Sequence, residues 1–244
     1  MQYLVGLGVD EHELFYHTIA VLHAPAYRAE NAGGLRQDWP RIPLPAQREV
    51  LLASAALGRQ VAALLNTETP VMNVTTGTVP PELRLIGQIR RVDGAQINAD
   101  RGDLSVTAGW GSGGNGRIVM PGKGRLIERA YSEDERDALS QPGASNTTPL
   151  GTTTCDVYLN AVVCWRNVPA RVWDYTIGGY QVIKKWLSYR EQAVLGRALT
   201  IDEAREVTQM TRRIAAILLL EPALDRSYAA VKQATVNLSG ASPE

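Results

Sequence analysis

Residues 172–187 read VWDYTIGGYQVIKKWL, which sets two tryptophans, two tyrosines, a Gly-Gly pair and a Lys-Lys pair in one short run. Adjacent glycines take positive φ without steric cost, so Gly178 and Gly179 can end the aromatic segment before them and launch a helix at Tyr180. In that helix Val182, Ile183, Trp186 and Leu187 share a face, and Lys184 and Lys185 lie off it, towards solvent or a polyanion. Periodicity alone favours a core helix with solvated lysines; a phosphate-binding helix is the functional alternative.

Outward from this run the chain divides by pattern. Asp10, with Glu13 three positions on, can cap a helix whose face is Leu14, Phe15, Thr18, Val21 and Leu22, and Pro25 ends it. Pro40, Pro43 and Pro45 enforce irregular chain, after which a second helix is expected over 46–65 with Val50, Leu51, Leu57, Val61, Leu64 and Leu65 inward. The middle reads as short strands over 71–75, 83–89, 104–108, 116–120 and 125–131, with a further apolar strand over 156–165. Ser132 and Glu135 form a capping box for a short helix, and 141–149 reads as a loop. Beyond 170 the pattern is helical again, from Thr200 or Asp202 to Leu220, interrupted at Pro222 and resuming to about Ala234.

The expected fold is α+β. Helical segments from both chain ends (1–68 and 170–236) pack together, a strand-rich lobe (69–169) lies between them, and residues 237–244 form a disordered tail. At 244 residues and 45% hydrophobic, the chain can bury one large core or two small ones. No apolar run approaches the roughly 18 residues of a membrane span, and the amino terminus has no leader pattern, so the expectation is a cytoplasmic protein with no membrane partner. Cys155 and Cys164, with eight residues between them in a strand-rich segment, do not support a disulfide framework or a four-ligand zinc site and read as buried thiols.

The 25 basic and 25 acidic residues cancel overall but not locally. Residues 1–83 carry 5 basic and 8 acidic, 84–129 carry 8 and 4, 130–159 carry 1 and 5, 160–190 carry 5 and 1, and 191–244 carry 6 and 7. Two stretches are therefore net +4, enough for a phosphate-facing surface if the fold joins them and nearby carboxylates do not neutralise them.

Catalytic patterns fail one by one. The glycine-rich run 109–116, GWGSGGNG, does not spell a dinucleotide fingerprint, and Gly122-Lys123 is followed by Gly124 rather than Ser or Thr. A hairpin loop is the better reading. Ser112 lacks the GxSxG setting. His12, His17 and His23 are spaced five and six apart, so they do not share a helical face and read as surface or half-buried residues rather than metal ligands.

Four phrases occur in order: LHAPAYR at 22–28, DWPRIPLP at 38–45, IVMPGKGRLIERAYSEDE at 118–135 and DVYLNAVVCWRNVPARVWDYTIGGYQVIKKWL at 156–187. With them the chain resembles, from about Tyr3 to about Ala234, the carboxy-terminal specificity region of type ISP restriction-modification enzymes and related adenine-specific DNA methylases. The resemblance implies a part that reads DNA for catalytic domains placed upstream. The parent would be an S-adenosylmethionine-dependent adenine methyltransferase with ATP-dependent nuclease activity. The Asn/Asp-Pro-Pro-Tyr/Phe motif that holds a flipped base is absent here: Asn167-Val168-Pro169-Ala170 has the wrong spacing and no terminal aromatic. The chain by itself is thus expected not to be an enzyme and to need no cofactor or metal.

The expected function is sequence-specific binding of double-stranded DNA as a target-recognition domain. Its other partners would be upstream methyltransferase, helicase and nuclease domains of the same or a companion chain. Arginine reads guanine, asparagine and glutamine read adenine, and lysine holds phosphate. On that basis the candidate contacts are Gln88, Arg90, Arg91 and Asn98, taken with Gln96 as a strand pair around Asp93-Gly94. Trp110, Asn115, Arg117, Lys123 and Arg125 flank the glycine-rich loops, and Arg129, Arg166, Lys184 and Lys185 complete the set. Trp173 and Trp186 read as core anchors. The alternative from another class is a docking module that packs on a catalytic domain with little DNA contact, which would not need clustered cations.

Overall fold

The computed structural model describes residues 2–113, 119–139 and 149–235. It separates into two compact units, Met1–Thr69 with Leu219–Glu244, and Pro70–Leu218. Together they make an α+β protein. No helix among the described residues is long and apolar enough to cross a membrane.

The first unit is helical: α1 (Gln2–Leu7), α2 (Glu11–His23), α3 (Pro25–Glu30) and α4 (Arg48–Leu65). Asp10 caps α2 as expected, its carboxylate accepting the Glu13 N–H at 3.1 Å. Helices α2 and α4 pack tightly because Gly58 has no side chain: a Cβ there would lie 1.8 Å from the Tyr16 carbonyl oxygen. The core gathers Ala20, Val21, Ala24, Tyr27 and Val61 with Leu224 and Tyr228, so both chain ends do share it. Tyr27 and Tyr228 meet edge to face at 5.5 Å, and the Asp225 carboxylate accepts the Ala26 N–H at 2.8 Å.

The inward face of α2 differs from the expected one. Phe15 is 61% exposed, whereas His17 is fully buried. The imidazole Nε2 donates to the Pro43 carbonyl at 2.9 Å, which leaves Nδ1 to accept the Ser54 hydroxyl at 2.8 Å. The expectation of a surface or half-buried histidine is thus corrected. Two fitted polar partners let the ring take a core position that hydrophobic periodicity assigns to aliphatic residues.

The second unit is built on an antiparallel sheet. Its elements in chain order are α5 (Pro81–Arg84), β1 (Gln88–Arg91), β2 (Gly111–Gly113), β3 (Val119–Pro121), β4 (Leu126–Ala130), α6 (Glu133–Leu139), β5 (Thr153–Tyr158), β6 (Val163–Pro169), α7 (Ala170–Trp173), β7 (Thr176–Ile177), β8 (Tyr180–Gln181), α8 (Val182–Arg190), α9 (Gln192–Leu195) and α10 (Ile201–Gln233). Four strands run in the order β1-β6-β5-β4, and β2-β3 and β7-β8 are separate hairpins. Trp110, Trp165, Val157 and Val163 are fully buried. The Trp165 indole N–H reaches the Ala204 carbonyl of α10 at 3.2 Å, so residues beyond 170 pack with the strands as well as with the chain's amino-terminal helices.

Several strand expectations change. Residues 71–75 form a turn, with the Val71 carbonyl accepting the N–H groups of Val74 and Thr75. Residues 104–108 form no strand, passing from a turn at Leu104 into irregular chain in which Leu104 and Val106 are buried. The apolar stretch 156–165 is a hairpin, not one strand. Its turn is organised by Asn160, whose side-chain oxygen accepts the Val162 and Val163 N–H groups and whose amide donates to the Asp103 and Ser105 carbonyls. Helix α10 continues through Pro222 rather than ending there; burial of Leu224, Tyr228 and Val231 after the proline offsets its missing N–H. Cys155 and Cys164 are free and buried, as expected. The predicted loop at 141–149 and the tail from 237 fall almost wholly outside the described residues.

Candidate nucleic-acid interface

Strand β1 lies at one edge of the sheet, with Gln88 opposite Arg166 and Arg90 opposite Cys164 on β6. The two-residue period places Gln88, Arg90 and Arg166 on one face. They line a cleft of about 240 Å³ with Ser132, Asp134 and Glu135 from the start of α6, and with Leu85 and Asn167. The three basic and amide residues come from two of the stretches singled out by pattern; the fold joins them.

The capping box at Ser132 forms as expected and sets the cleft's acidic wall. The Glu135 carboxylate accepts the Ser132 N–H at 2.8 Å, and the Ser132 hydroxyl accepts the Glu135 N–H at 3.4 Å. Arg129 then grips Glu135 through two bonds of 2.7 and 2.8 Å, and Asp156 through two of 3.0 Å. Burial pushes the Glu135 carboxyl up, but Arg129 and the Ser132 N–H pull it down to about 2. Arg166 stands 3.7 Å from the same carboxylate and stays 38% exposed, so much of its charge remains available. Arg90 is exposed. It donates to the Gln88 side-chain oxygen at 3.3 Å, and Gln88 donates to the Arg84 carbonyl at 3.1 Å. Guanidinium and amide donors thus stand beside carboxylate acceptors, a mixture that can meet the edges of guanine, adenine and cytosine in a major groove.

Other expected contacts are spent on the protein itself. Arg129 is a strut between β4, β5 and α6 rather than a free cation. Arg91 pairs with Asp103 at 2.6 Å and Asp93 at 2.8 Å, and holds the Asp93 carboxyl down at about 2. The Asn98 oxygen accepts the Arg101 N–H at 3.2 Å and caps a 3₁₀ turn. Gln96 and Asn98 lie outside any strand, because β1 pairs with β6 instead of with them. Trp110 is fully buried. Its indole donates to the Tyr158 carbonyl at 2.7 Å and its ring lies 5.3 Å from that of Trp173, which corrects its assignment as a DNA contact.

Lys123 is exposed just before β4, and Arg125 lies over the Tyr158 ring at 4.1 Å. On α8, Lys184 and Lys185 are half-buried, with the Lys185 ammonium 4.8 Å from the Tyr180 and Tyr189 rings. Trp173 is buried as expected, whereas Trp186 is half-buried, stacked on Arg190 at 3.9 Å and bonded to Glu206. Asn115 and Arg117 lie outside the described residues. Asp134 and Glu135 were the members missed: the SEDE run after β4 signals a helix start, and nothing in it signals which cleft that start closes. Among the described residues no cluster of His, Cys, Asp and Glu could hold a metal.

A family model, the Type ISP C-terminal specificity domain, matches residues 4–217. No curated protein matches the chain. Among solved structures it is similar to a chain of a DrdV–DNA complex seen by cryo-EM, with 20% identity, TM-score 0.47 and coverage of 92% of this chain and 19% of that one. It is also similar to a nuclease-deletion mutant of the Type ISP restriction-modification enzyme LlaGI in complex with a DNA substrate mimic, with 14% identity, TM-score 0.41 and coverage of 89% and 16%. The chain therefore spans less than a fifth of the length of either. With the family model matching most of the sequence, the chain belongs to the Type ISP C-terminal specificity domain family.

Proposed function

We propose that this domain reads duplex DNA through the cleft between β1, β6 and α6, with Arg90, Arg166 and Gln88 as base-edge contacts. Lys123, Arg125, Lys184 and Lys185 serve as phosphate contacts that set the register. The observation that carries this reading is the shared face of Gln88, Arg90 and Arg166, where Arg90 is exposed and, among the described residues, has only a glutamine as its side-chain partner. A buried strut would be held by a carboxylate, as Arg129 is. The test is selection of bound sequences from a random duplex pool by the wild-type chain and by Arg90→Ala. The substitution should relax one position of the selected site; an unchanged site assigns the reading elsewhere.

A second role is carried by the helical unit. Trp39 is 88% exposed, and the unit's two stretches are both net acidic, 1–69 with 5 basic against 7 acidic residues and 219–244 with 2 against 3, which suits a protein surface better than DNA. We infer that this unit docks the domain on upstream methyltransferase, helicase or nuclease domains, in the cytoplasm where such an enzyme meets its DNA. Trp39→Ala should weaken that association in a pull-down with the upstream domains while leaving DNA binding by the isolated chain unchanged.

A further inference from the structure

The hairpin β7-β8 carries an apolar tip that the core does not use. Gly178 and Gly179 sit at φ +58° and +81°, the two-positive pattern of the tightest hairpin turn. Ile177 pairs directly with Tyr180 across that turn. Cross-strand partners project to the same side, so the two side chains stand together. Both face water: Ile177 is 54% exposed and Tyr180 is 60% exposed.

The tip is firmly mounted. The Val182 N–H donates to the Tyr175 carbonyl at 3.1 Å, and the Gln181 amide donates to the Asp174 carboxylate at 3.1 Å. The hairpin then runs straight into α8, whose Ile183 and Leu187 are buried. Beside the tip Lys185 lies against the Tyr180 and Tyr189 rings, with Lys184 next to it in sequence. The surrounding stretch, 160–190, has 5 basic residues against 1 acidic. That balance selects a polyanion over an average protein surface as the occupant.

We propose that Ile177 and Tyr180 form a wedge that enters between two base pairs of bound duplex and partly unstacks them, while Lys184 and Lys185 hold the flanking phosphates. An apolar pair on a rigid turn supplies what unstacking requires, a surface that replaces base–base contact without demanding hydrogen bonds. Charge beside it offsets the crowding of phosphates that a kink produces. The inference rests on duplex binding as proposed above and shares its phosphate contacts Lys184 and Lys185, but the wedge pair, Ile177 and Tyr180, and the readout are its own.

The experiment places 2-aminopurine at successive positions of a duplex selected by the full chain and follows its fluorescence on binding. The wild-type chain and Tyr180→Phe should raise the signal at one step. The double substitution Ile177→Ser/Tyr180→Ser should abolish the rise, with affinity falling about tenfold or less because the lysines remain. Its melting temperature should match the wild type, since both side chains are exposed. Duplex binding with no rise at any position in either strand, or a rise that survives the double substitution, overturns the wedge alone. No duplex binding by the wild-type chain overturns the DNA-reading assignment and the wedge together.

Discussion

At the scale of single residues, the structure separates side chains that hold the protein from those left to contact something else. His17 is neutral in the fold because burial lowers its pKa below the ordinary 6.5, although the Pro43 carbonyl opposes this. The unfolded chain therefore takes up a proton at that histidine before the folded one does. Stability from this site is complete above pH 6.5 and falls as pH drops through that value towards the lower folded pKa. The melting temperature should fall between pH 7.5 and 5.5, and His17→Gln should flatten that fall while lowering stability at pH 7.5. Trp110→Ala should cost roughly 3 to 5 kcal/mol in denaturant titration, as a core cavity does, and should not shift the selected DNA site in a folded sample. Both residues were hard to place from sequence for one reason: a polar edge on a ring is compatible with water or with a buried partner. Only the positions of Ser54, Pro43 and Tyr158 decide between them.

At the scale of elements, capping was legible and pairing was not. Asp10 with Glu13 and Ser132 with Glu135 were readable because a cap and its partner lie within four residues of each other. The hairpin around Asn160 was read as one strand because its turn lacks Gly and Pro, and Asn160 makes the turn through bonds to a loop more than fifty residues away. The same non-local logic turned Arg129 from a DNA candidate into a strut. Glu135→Ala would remove the half of the capping box that holds the Ser132 N–H and leave Arg129 with Asp156 as its carboxylate partner beside the Ala130 carbonyl, at a cost of about 2 to 4 kcal/mol. Arg129→Ala should lower stability by a similar amount without changing site selection, whereas Arg90→Ala should do the reverse. Measuring denaturation and selection on both arginine variants checks the division. If Arg129→Ala alters the selected sequence at unchanged stability, the strut assignment is wrong.

At the scale of the whole molecule, a chain with no net charge can still bind a polyanion when its cations are segregated and its carboxylates are engaged elsewhere. Sequence showed the segregation, since residues 84–129 and 160–190 are each net +4. It could not show that Arg91 and Arg129 are consumed by Asp93, Asp103, Glu135 and Asp156. Removing those two leaves Arg90, Lys123, Arg125, Arg166, Lys184 and Lys185 as the cationic candidates among the described residues. If about four or five of them meet phosphate, the plot of log affinity against log salt should have a slope of about −3.5 to −4.5. Lys184→Ala with Lys185→Ala should shallow that slope by about 2 and weaken all sequences alike. Replacing a base-reading arginine should instead cost about 1 to 3 kcal/mol on the selected site only. Titrations of selected and scrambled duplexes over a range of salt concentrations distinguish the two effects. A slope that stays unchanged without the lysines would place the phosphate contacts on the β3-to-β4 side of the unit, at Lys123 and Arg125.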